Sequence, residues 1–486
     1  MNKSVRINVT ALAFIILAGM SAGIDRARAE LPNVILCMTD DQGWGDVGFN
    51  GHKTLRTPHL DAMAAGSLKF NRFYAAAPVC SPTRGSCLTG RHPYRYGIFS
   101  ANVGHMPPRE ITLAEALKTK GYATGHFGKW HLGTLSKTDR SRNRGTGPNL
   151  VKHFSPPWTN GFDTCFSTES KVPTWDPLAQ GAGKRTWWDP VKDPGKAPVY
   201  GSPYYTNGRQ SSGDLTGDDS RLIMDRALSF IRTATKADKP FFAVIWFHAP
   251  HLPVVAGEKF TKPYQSLDKY KQHYYGCITA LDAQIGRLRA ELRKLDVAEN
   301  TMVWYCSDNG PEGNRSAPGS AGKFRGRKRS LYEGGVRVPA LLEWPAKITR
   351  ARTTDIPCVT SDYYPTVLEA VGIKLPKQLP LDGISLMPLI RGEMKSRIRP
   401  IGFQSAGTAT WVEDRYKLVV SSSRRNRKKK PAKQPSGTKL PPNKAELYDL
   451  LADPGETNNL ASAQPAIVKR MKAELEAWQA SCRKRQ

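Results

Sequence analysis

Residues 33–41 read NVILCMTDD, an apolar run that ends on Thr39 and two adjacent carboxylates, Asp40 and Asp41. An apolar run this short, without alternation, is the pattern of a strand covered on both faces. The same arrangement recurs downstream. YATGHF (122–127) runs into Gly128-Lys129-Trp130-His131, FFAVIWF (241–247) into His248-Ala249-Pro250-His251, and TMVWYC (301–306) into Ser307-Asp308-Asn309-Gly310. Helical patterns lie between these runs: HLDAMAAGSLKF (59–70), TLAEALKTKG (112–121), DRALSFIRTA (225–234) and the stretch from Tyr270 to Leu295. Such alternation predicts an α/β fold with a large, mostly parallel central sheet flanked by helices. Ligands of open α/β sheets sit beyond the carboxyl ends of the strands. Four predicted strands therefore aim polar or ionisable groups at one rim.

The 486 residues exceed one ordinary core and predict a large domain plus a smaller one. Lys3 and Arg6, an apolar run over Val9–Ala22 and Ala27-Arg28-Ala29 before Glu30 have the pattern of a secretory signal, residues 1–29. The mature chain is expected to be soluble and exported, periplasmic or secreted, without a transmembrane segment. A catalytic domain over 30–394 and a C-terminal α+β subdomain over 395–486 follow from the change of character after Ile390. There KLVVSS and AELYDLLADPGETNNLA read as strand and turn, and IVKRMKAELEAWQA as an amphipathic helix. Residues 135–220, rich in Pro, Gly, Trp and Tyr, read as an elaborated loop region. Eight dispersed cysteines without a CxxC pair argue against a zinc ribbon and allow one or two disulfides. Cys37 and Cys306, inside apolar runs, are expected as core thiols.

Lys plus Arg outnumber Asp plus Glu by 72 to 42, a net charge of +30. That excess predicts an acidic partner. Part of it is the basic loop 421–444, read as solvated. Export and the lack of any nucleic-acid module argue against nucleic acid and leave an anionic surface or a polyanionic glycan. Trp158, Trp175, Trp187 and Trp188 in the loop region are candidates to stack on sugar rings, with local packing as the alternative.

Asp40, Asp41, Asp308 and Asn309 would converge as hard oxygen ligands, which suit Ca²⁺ or Mg²⁺ and not Zn²⁺. Lys129, His131 and His248 would supply positive charge and proton transfer. His251 and His126 are assigned structural roles. Cys80, in CSPTRGSCLTGR (80–91), precedes Pro82, which fits the first turn of a helix. A thiol at a helix N-terminus is expected to have a lowered pKa. Thiolate nucleophile, disulfide half and chemically converted cysteine all remain open on that basis. Soft sulfur suits a hard-metal site poorly, and the conflict points to conversion.

With these blocks in view, the chain resembles the type I, formylglycine-dependent sulfatases of the arylsulfatase A and N-acetylgalactosamine sulfatase group, in the alkaline phosphatase superfamily. CSPTR is similar to that family's C-x-P-x-R motif. TDDQGWGDVG, GKWHLG, FHAPH, SDNG, KRSLYEGGVRVP and ELYDLLADPGETNNLA resemble its other blocks, in family order. The resemblance implies that a separate maturation enzyme oxidises Cys80 to formylglycine, whose hydrate attacks sulfur. It implies one Ca²⁺, with Mg²⁺ the less favoured ion, held by Asp40, Asp41, Asp308, Asn309 and residue 80. Arg84 would orient and polarise the hydrate, and Lys129 and Lys328 would offset charge on the sulfate oxygens. His248, with Lys328, would protonate the leaving alcohol, giving a covalent sulfo-enzyme, and His131 would take the proton that releases sulfate. A sulfated carbohydrate is the implied substrate. The alternatives are a phosphonate or phosphodiester hydrolase on the same site and a non-catalytic polyanion-binding protein.

Overall fold

In the computed structural model, which describes residues 31–483 apart from 184, 315, 376–378 and 422–443, the NVILCMT run is strand β1, Asn33–Thr39. The proposed signal and nearly all of the basic loop lie outside the described residues. Ten further strands join β1 in one sheet. They are β2 (Leu68–Tyr74), β3 (Ala123–Lys129), β4 (Thr164–Thr168), β5 (Tyr204–Thr206), β6 (Arg209–Gln210), β7 (Phe241–Trp246), β8 (Thr301–Ser307), β9 (Arg337–Glu343), β10 (Arg352–Thr354) and β11 (Cys358–Val359). The order is β10-β2-β9-β8-β1-β7-β3-β4-β5-β6, with β11 also on β2. The central five, β8-β1-β7-β3-β4, are parallel, so their carboxyl ends share one rim. Antiparallel β9 and β5 flank them.

Period-two geometry explains why these strands are apolar throughout. Val34, Leu36 and Met38 face one core layer with Phe242, Val244, Trp246 and Trp304. Ile35 and Cys37 face the other with Ala243, Ile245, Val303 and Tyr305. Each such fully buried aliphatic or aromatic side chain contributes about 1.5–3 kcal/mol. The second layer is closed by α4 (Asp219–Lys236) and α5 (Lys269–Lys294), each capped by an aspartate side chain, Asp218 or Asp268. On the first layer sit α2 (Cys80–Thr89), α3 (Leu113–Lys118), with a Thr112–Glu115 capping box, and α6 (Tyr363–Ala370).

Two expected elements differ. The helix expected over 59–70 stops early: α1 covers Pro58–Ala64 and the chain turns at Gly66–Ser67 into β2, so LKF is sheet. The region 135–220 is not all loop. It contributes β4, which extends the parallel sheet beside β3, and β5 and β6 beyond it.

A second, antiparallel sheet holds β12 (Ile401–Ser405), β13 (Thr408–Val412), β14 (Tyr416–Ser421) and β15 (Lys444–Asp449) in sequence order. Helix α7 (Pro465–Arg483) covers one face through Met471 and Leu475. The other face packs Phe403, Val412 and Val419 against Tyr74 and Val336 of the large domain. All eight cysteines are free and buried, so the disulfides that composition allowed are not formed. Among the described residues no helix is long and apolar enough to cross a membrane.

Candidate active site

The rim of the parallel strands gathers most of the residues that the sequence singled out. Asp40 and Asp41 follow β1, and Asp308 and Asn309 follow β8. Asp41 adopts φ +64°, and its N–H donates to Asp308 Oδ1 at 3.1 Å, which locks the two acidic turns together. Cys80 is the first residue of α2, a helix whose every residue is buried, and its Sγ lies within 4.8 Å of carboxylate oxygens of Asp40 and Asp308. One turn on, the fully buried Arg84 guanidinium bridges Asp308 Oδ2 at 2.7 Å and Asp40 Oδ2 at 3.5 Å and donates to Lys129 O at 3.1 Å. It also lies over the Trp246 ring.

Lys129 ends β3 and donates to Asp40 Oδ2 at 2.5 Å. The close approach of β3 to β7 requires the preceding glycine. Gly128 has φ +101°, and a Cβ there would lie 1.9 Å from Trp246 O. Lys328 comes from a loop pinned to the Asn309 turn, its N–H donating to Pro311 O at 2.9 Å. Its Nζ donates to both Asp41 oxygens at 2.6 and 2.7 Å. Three buried carboxylates thus meet three buried cations, Arg84, Lys129 and Lys328. Burial alone would raise Asp40, but Lys129, His251 and Arg84 outweigh it and hold the carboxyl well below its ordinary range. Burial and the neighbouring Asp40 push Asp308 up to about 7 in spite of Arg84. Burial likewise pushes the Cys80 thiol up, against the pull of Lys129 and Lys328. The lowering expected from the helix N-terminus is reversed by desolvation.

His131 sits at φ +60° with its ring buried beside Lys129. Its Nε2 is 2.6 Å from Asn102 Oδ1, while Nδ1 is buried without a partner. Burial, then Lys129 and Arg84, hold it well below its ordinary pKa.

The two histidines after β7 lie the other way round from expectation. His248 does not reach the cluster: its Nδ1 is held by Asp219 Oδ2 at 2.8 Å and its Nε2 by Thr168 Oγ1 at 2.7 Å, in a fully buried site under Tyr204. His251, assigned a structural role, instead turns to the rim. Its N–H donates to His248 O at 2.8 Å, closing a turn, and its Nε2 lies 3.5 Å from Asp41 Oδ2. The physical reason is position: Phe247 N–H still bonds Met38 O of β1, so His248 projects from the end of the sheet toward α4, and only the turn beyond it faces the ligand side. His126 is structural, as expected, boxed by Trp130, Phe162 and Trp246 and bonded to Ser167. The sequence reading missed Lys171 altogether. It lies three residues beyond β4, and burial with Lys129 and Lys328 nearby pulls it down to about 8. The one signal was TCFST, a short β-branched and aromatic run inside the Pro- and Gly-rich region.

The tryptophans mostly pack locally. Trp188 is buried against Tyr200 and Val255, Trp175 packs on that cluster, Trp187 stacks on His273, and Trp158 leans on Tyr205.

The family model described as Sulfatase matches residues 32–373, which contain every one of these rim residues. The chain belongs to the sulfatase family. This sulfatase is 32% identical over 484 residues to arylsulfatase A of Homo sapiens, covering 94% of this chain and 89% of that protein. It is 32% identical to N-acetylgalactosamine-6-sulfatase of Canis lupus familiaris, with 81% and 72% covered. Among solved structures, Ps i-CgsB in complex with k-i-k-neocarrahexaose superposes with a TM-score of 0.75 at 26% identity, covering 94% of each chain. The sulfatase is therefore a type I enzyme of the alkaline phosphatase superfamily and a sulfuric ester hydrolase.

Proposed function

We propose that this sulfatase is exported and removes sulfate from a sulfated glycan, using formylglycine made from Cys80 by a maturation enzyme and one divalent cation, Ca²⁺ in preference to Mg²⁺. The observation that carries the reading is the placement of Cys80 between Asp40 and Asp308, one helical turn from the Arg84 that bridges them. The donor set fits a hard cation. Asp40 Oδ1 and Asn309 Oδ1 are both buried without any hydrogen-bond partner, and Asp41 and Asp308 stand beside them. Buried oxygens without donors are costly, and a cation satisfies them. Asp40, Asp41, Asp308, Asn309 and residue 80 would hold it, and it would lower the energy of negative charge on oxygen. The three carboxylates and three basic side chains balance, so a divalent ion leaves the pocket positive for a sulfate ester.

When hydrated, the converted residue supplies two geminal hydroxyls, one to attack sulfur and one through which sulfate is released. The protein groups then divide the work. Arg84 polarises residue 80 and is itself fixed by Asp308 and Lys129 O. Lys129 and Lys328 stabilise charge on the sulfate oxygens as it builds. His251 replaces His248 as the group that delivers a proton to the leaving alcohol. Its Nδ1 is 2.7 Å from the Leu252 carbonyl and so carries hydrogen, which directs Nε2 at the pocket. Burial and Lys328 hold that ring neutral when no anion is present, and an arriving sulfate ester favours its charged form. Asn102 Oδ1 accepts from His131 Nε2, which leaves Nδ1 free to take a proton. His248 positions the rim by tying Thr168 of β4 to Asp219 of α4.

Mass spectrometry of the tryptic peptide FYAAAPVCSPTR from exported protein tests the reading, alongside an aryl sulfate assay. An aldehyde at residue 80 together with sulfate release supports it. A thiol that persists after co-expression with a maturation enzyme sinks it.

A further inference from the structure

Two histidines outside the rim meet ring to ring. His105 Nδ1 lies 3.2 Å from His153 Nδ1, with the rings edge to face. At that distance one Nδ1 carries hydrogen and the other accepts it. His105 belongs to the loop that follows the short helix Pro93–Tyr96, and His153 caps the short helix Pro148–Lys152. The pair thus joins two segments 48 residues apart in sequence.

The loop that carries His105 is also the loop that reaches His131. Its neck is tight: Gly104 has φ +74°, and a Cβ there would lie 2.4 Å from Gly97 O. Inside the loop, Asn102 at φ +62° accepts from His131 Nε2 at 2.6 Å. Three contacts hold the end of the loop that follows. Met106 N–H donates to Leu132 O at 2.7 Å, Arg144 Nη2 donates to Gly104 O at 2.9 Å, and His105 meets His153. His153 is in turn fixed to the chain just beyond His131, its carbonyl accepting from Thr134 N–H at 2.8 Å. Both sides of the Asn102–His131 contact are therefore tied through the histidine pair.

Of the three contacts, only the histidine pair titrates near neutrality. Arg144 and Lys152 are the charged groups around both rings, and Arg144 is itself paired with Glu169 at 2.8 Å. Burial and these cations hold both histidines below their ordinary pKa, so at pH 7 the rings are neutral and the bond is made. A first proton can enter at an outer Nε2 and leave the bond in place. A second puts hydrogen on both facing nitrogens and two like charges side by side, and the bond is lost.

We propose that the His105–His153 pair is a latch on the loop that positions His131 through Asn102, and that it opens in acid once both rings are charged. The inference rests on the role given to His131 and deepens it: His105 and His153 are positioning residues for the step that releases sulfate.

The test follows kcat for an aryl sulfate with an acidic phenol, whose departure needs little help, so that sulfate release weighs most. His153→Asn brings an amide oxygen that accepts from His105 Nδ1 whether or not that ring is charged, and it cannot itself titrate. The ratio of its kcat to that of the wild type should rise about tenfold between pH 7.5 and pH 5, the scale of one lost hydrogen bond, with KM following no such trend. In an Asn102→Ala background the rise should vanish. A ratio that stays constant over that range, or a rise that survives Asn102→Ala, overturns the proposal. Should His153→Asn fail to fold, His105→Asn tests the same bond from the other side. Lack of any sulfate ester turnover by matured enzyme overturns the functional reading instead. Ring nitrogen NMR of the Cys80→Ser protein then decides the latch by itself. The His131 Nε2–H signal should change between pH 7.5 and pH 5 and hold steady once His153→Asn is added, and the same change in both proteins overturns the latch.

Discussion

Lys417 of β14 places its ammonium 2.9 Å from Glu333 Oε1, with both side chains fully buried. A second carboxylate, Glu456, lies 2.9 Å away on the same nitrogen and accepts from Glu333 N–H at 2.6 Å. Glu333 also receives Tyr74 OH and Arg337. The small sheet thus inserts a cation under the loop that carries Lys328, five residues before Glu333. Replacing Lys417 by Met leaves two buried acids short of a partner, and loss of one member of a buried pair costs about 3–5 kcal/mol. A Lys417→Met protein should show that loss in denaturant unfolding and a lower kcat through Lys328. Unchanged stability and turnover would mean that the network is only incidental to the active site.

Chelation should act on stability as well as on activity. A ligand bound only by the folded state at 100 times its Kd stabilises by about 2.7 kcal/mol. Thermal unfolding of chelated protein should shift upward on adding Ca²⁺ and less with Mg²⁺. Asp308→Asn should abolish the shift. A Ca²⁺ response retained in Asp308→Asn would place the ion elsewhere.

His251 and His248 should separate cleanly. His251→Ala removes a proton donor and is expected to cost about 10²–10⁴-fold in kcat, most on alkyl sulfates and least on aryl sulfates with acidic phenols. His248→Ala should act first on stability, since it removes the ring that partners Asp219 Oδ2 and Thr168 Oγ1 inside the fold. Leaving-group dependence in His248→Ala, and none in His251→Ala, would restore the sequence-based assignment.

That exchange shows how far the sequence could be read. β1, β3, β7 and β8 are legible because short apolar runs bounded by polar turns mean the same thing in any context, and parallel pairing sends all their trailing groups to one rim. His248 and His251 are different. They are three residues apart after the same strand, and only the hydrogen bond from Phe247 to Met38 and the turn that follows decide which one faces the pocket. Lys171 was hidden for another reason: β4 has five residues in a Pro- and Gly-rich region, too few for periodicity to register. β2 was lost to the helix before it because Leu-Lys-Phe fits both periods.

In the large domain His92 links stability to pH away from the active site. His92 caps a short helix, its Nδ1 accepting from Tyr94 N–H at 3.3 Å, while Nε2 is buried without a partner. The ring meets the edge of Trp478 on α7, with Asp382 and Arg95 as the charged groups facing it. Burial lowers its pKa to about 4, Asp382 pulling up and Arg95 down. The folded state therefore holds this ring neutral where an unfolded chain, titrating near 6.5, would protonate it. Its contribution is fully present above about pH 6.5 and is lost as pH falls toward 4, to a total of about 3 kcal/mol. Buried Asp218 and Asp282, raised to about 7 and about 6, act with the opposite sign over much of that window, so the total curve does not isolate His92. The difference between proteins does. His92→Asn keeps an acceptor for Tyr94 N–H and cannot titrate. Its stability deficit relative to the wild type, measured by denaturant unfolding at pH 7.5, should shrink or invert by pH 4.5. A deficit that stays constant across that range would mean that His92 takes up its proton in the folded protein as readily as in the unfolded chain, and one that grows as pH falls would mean that it is charged and paired with Asp382.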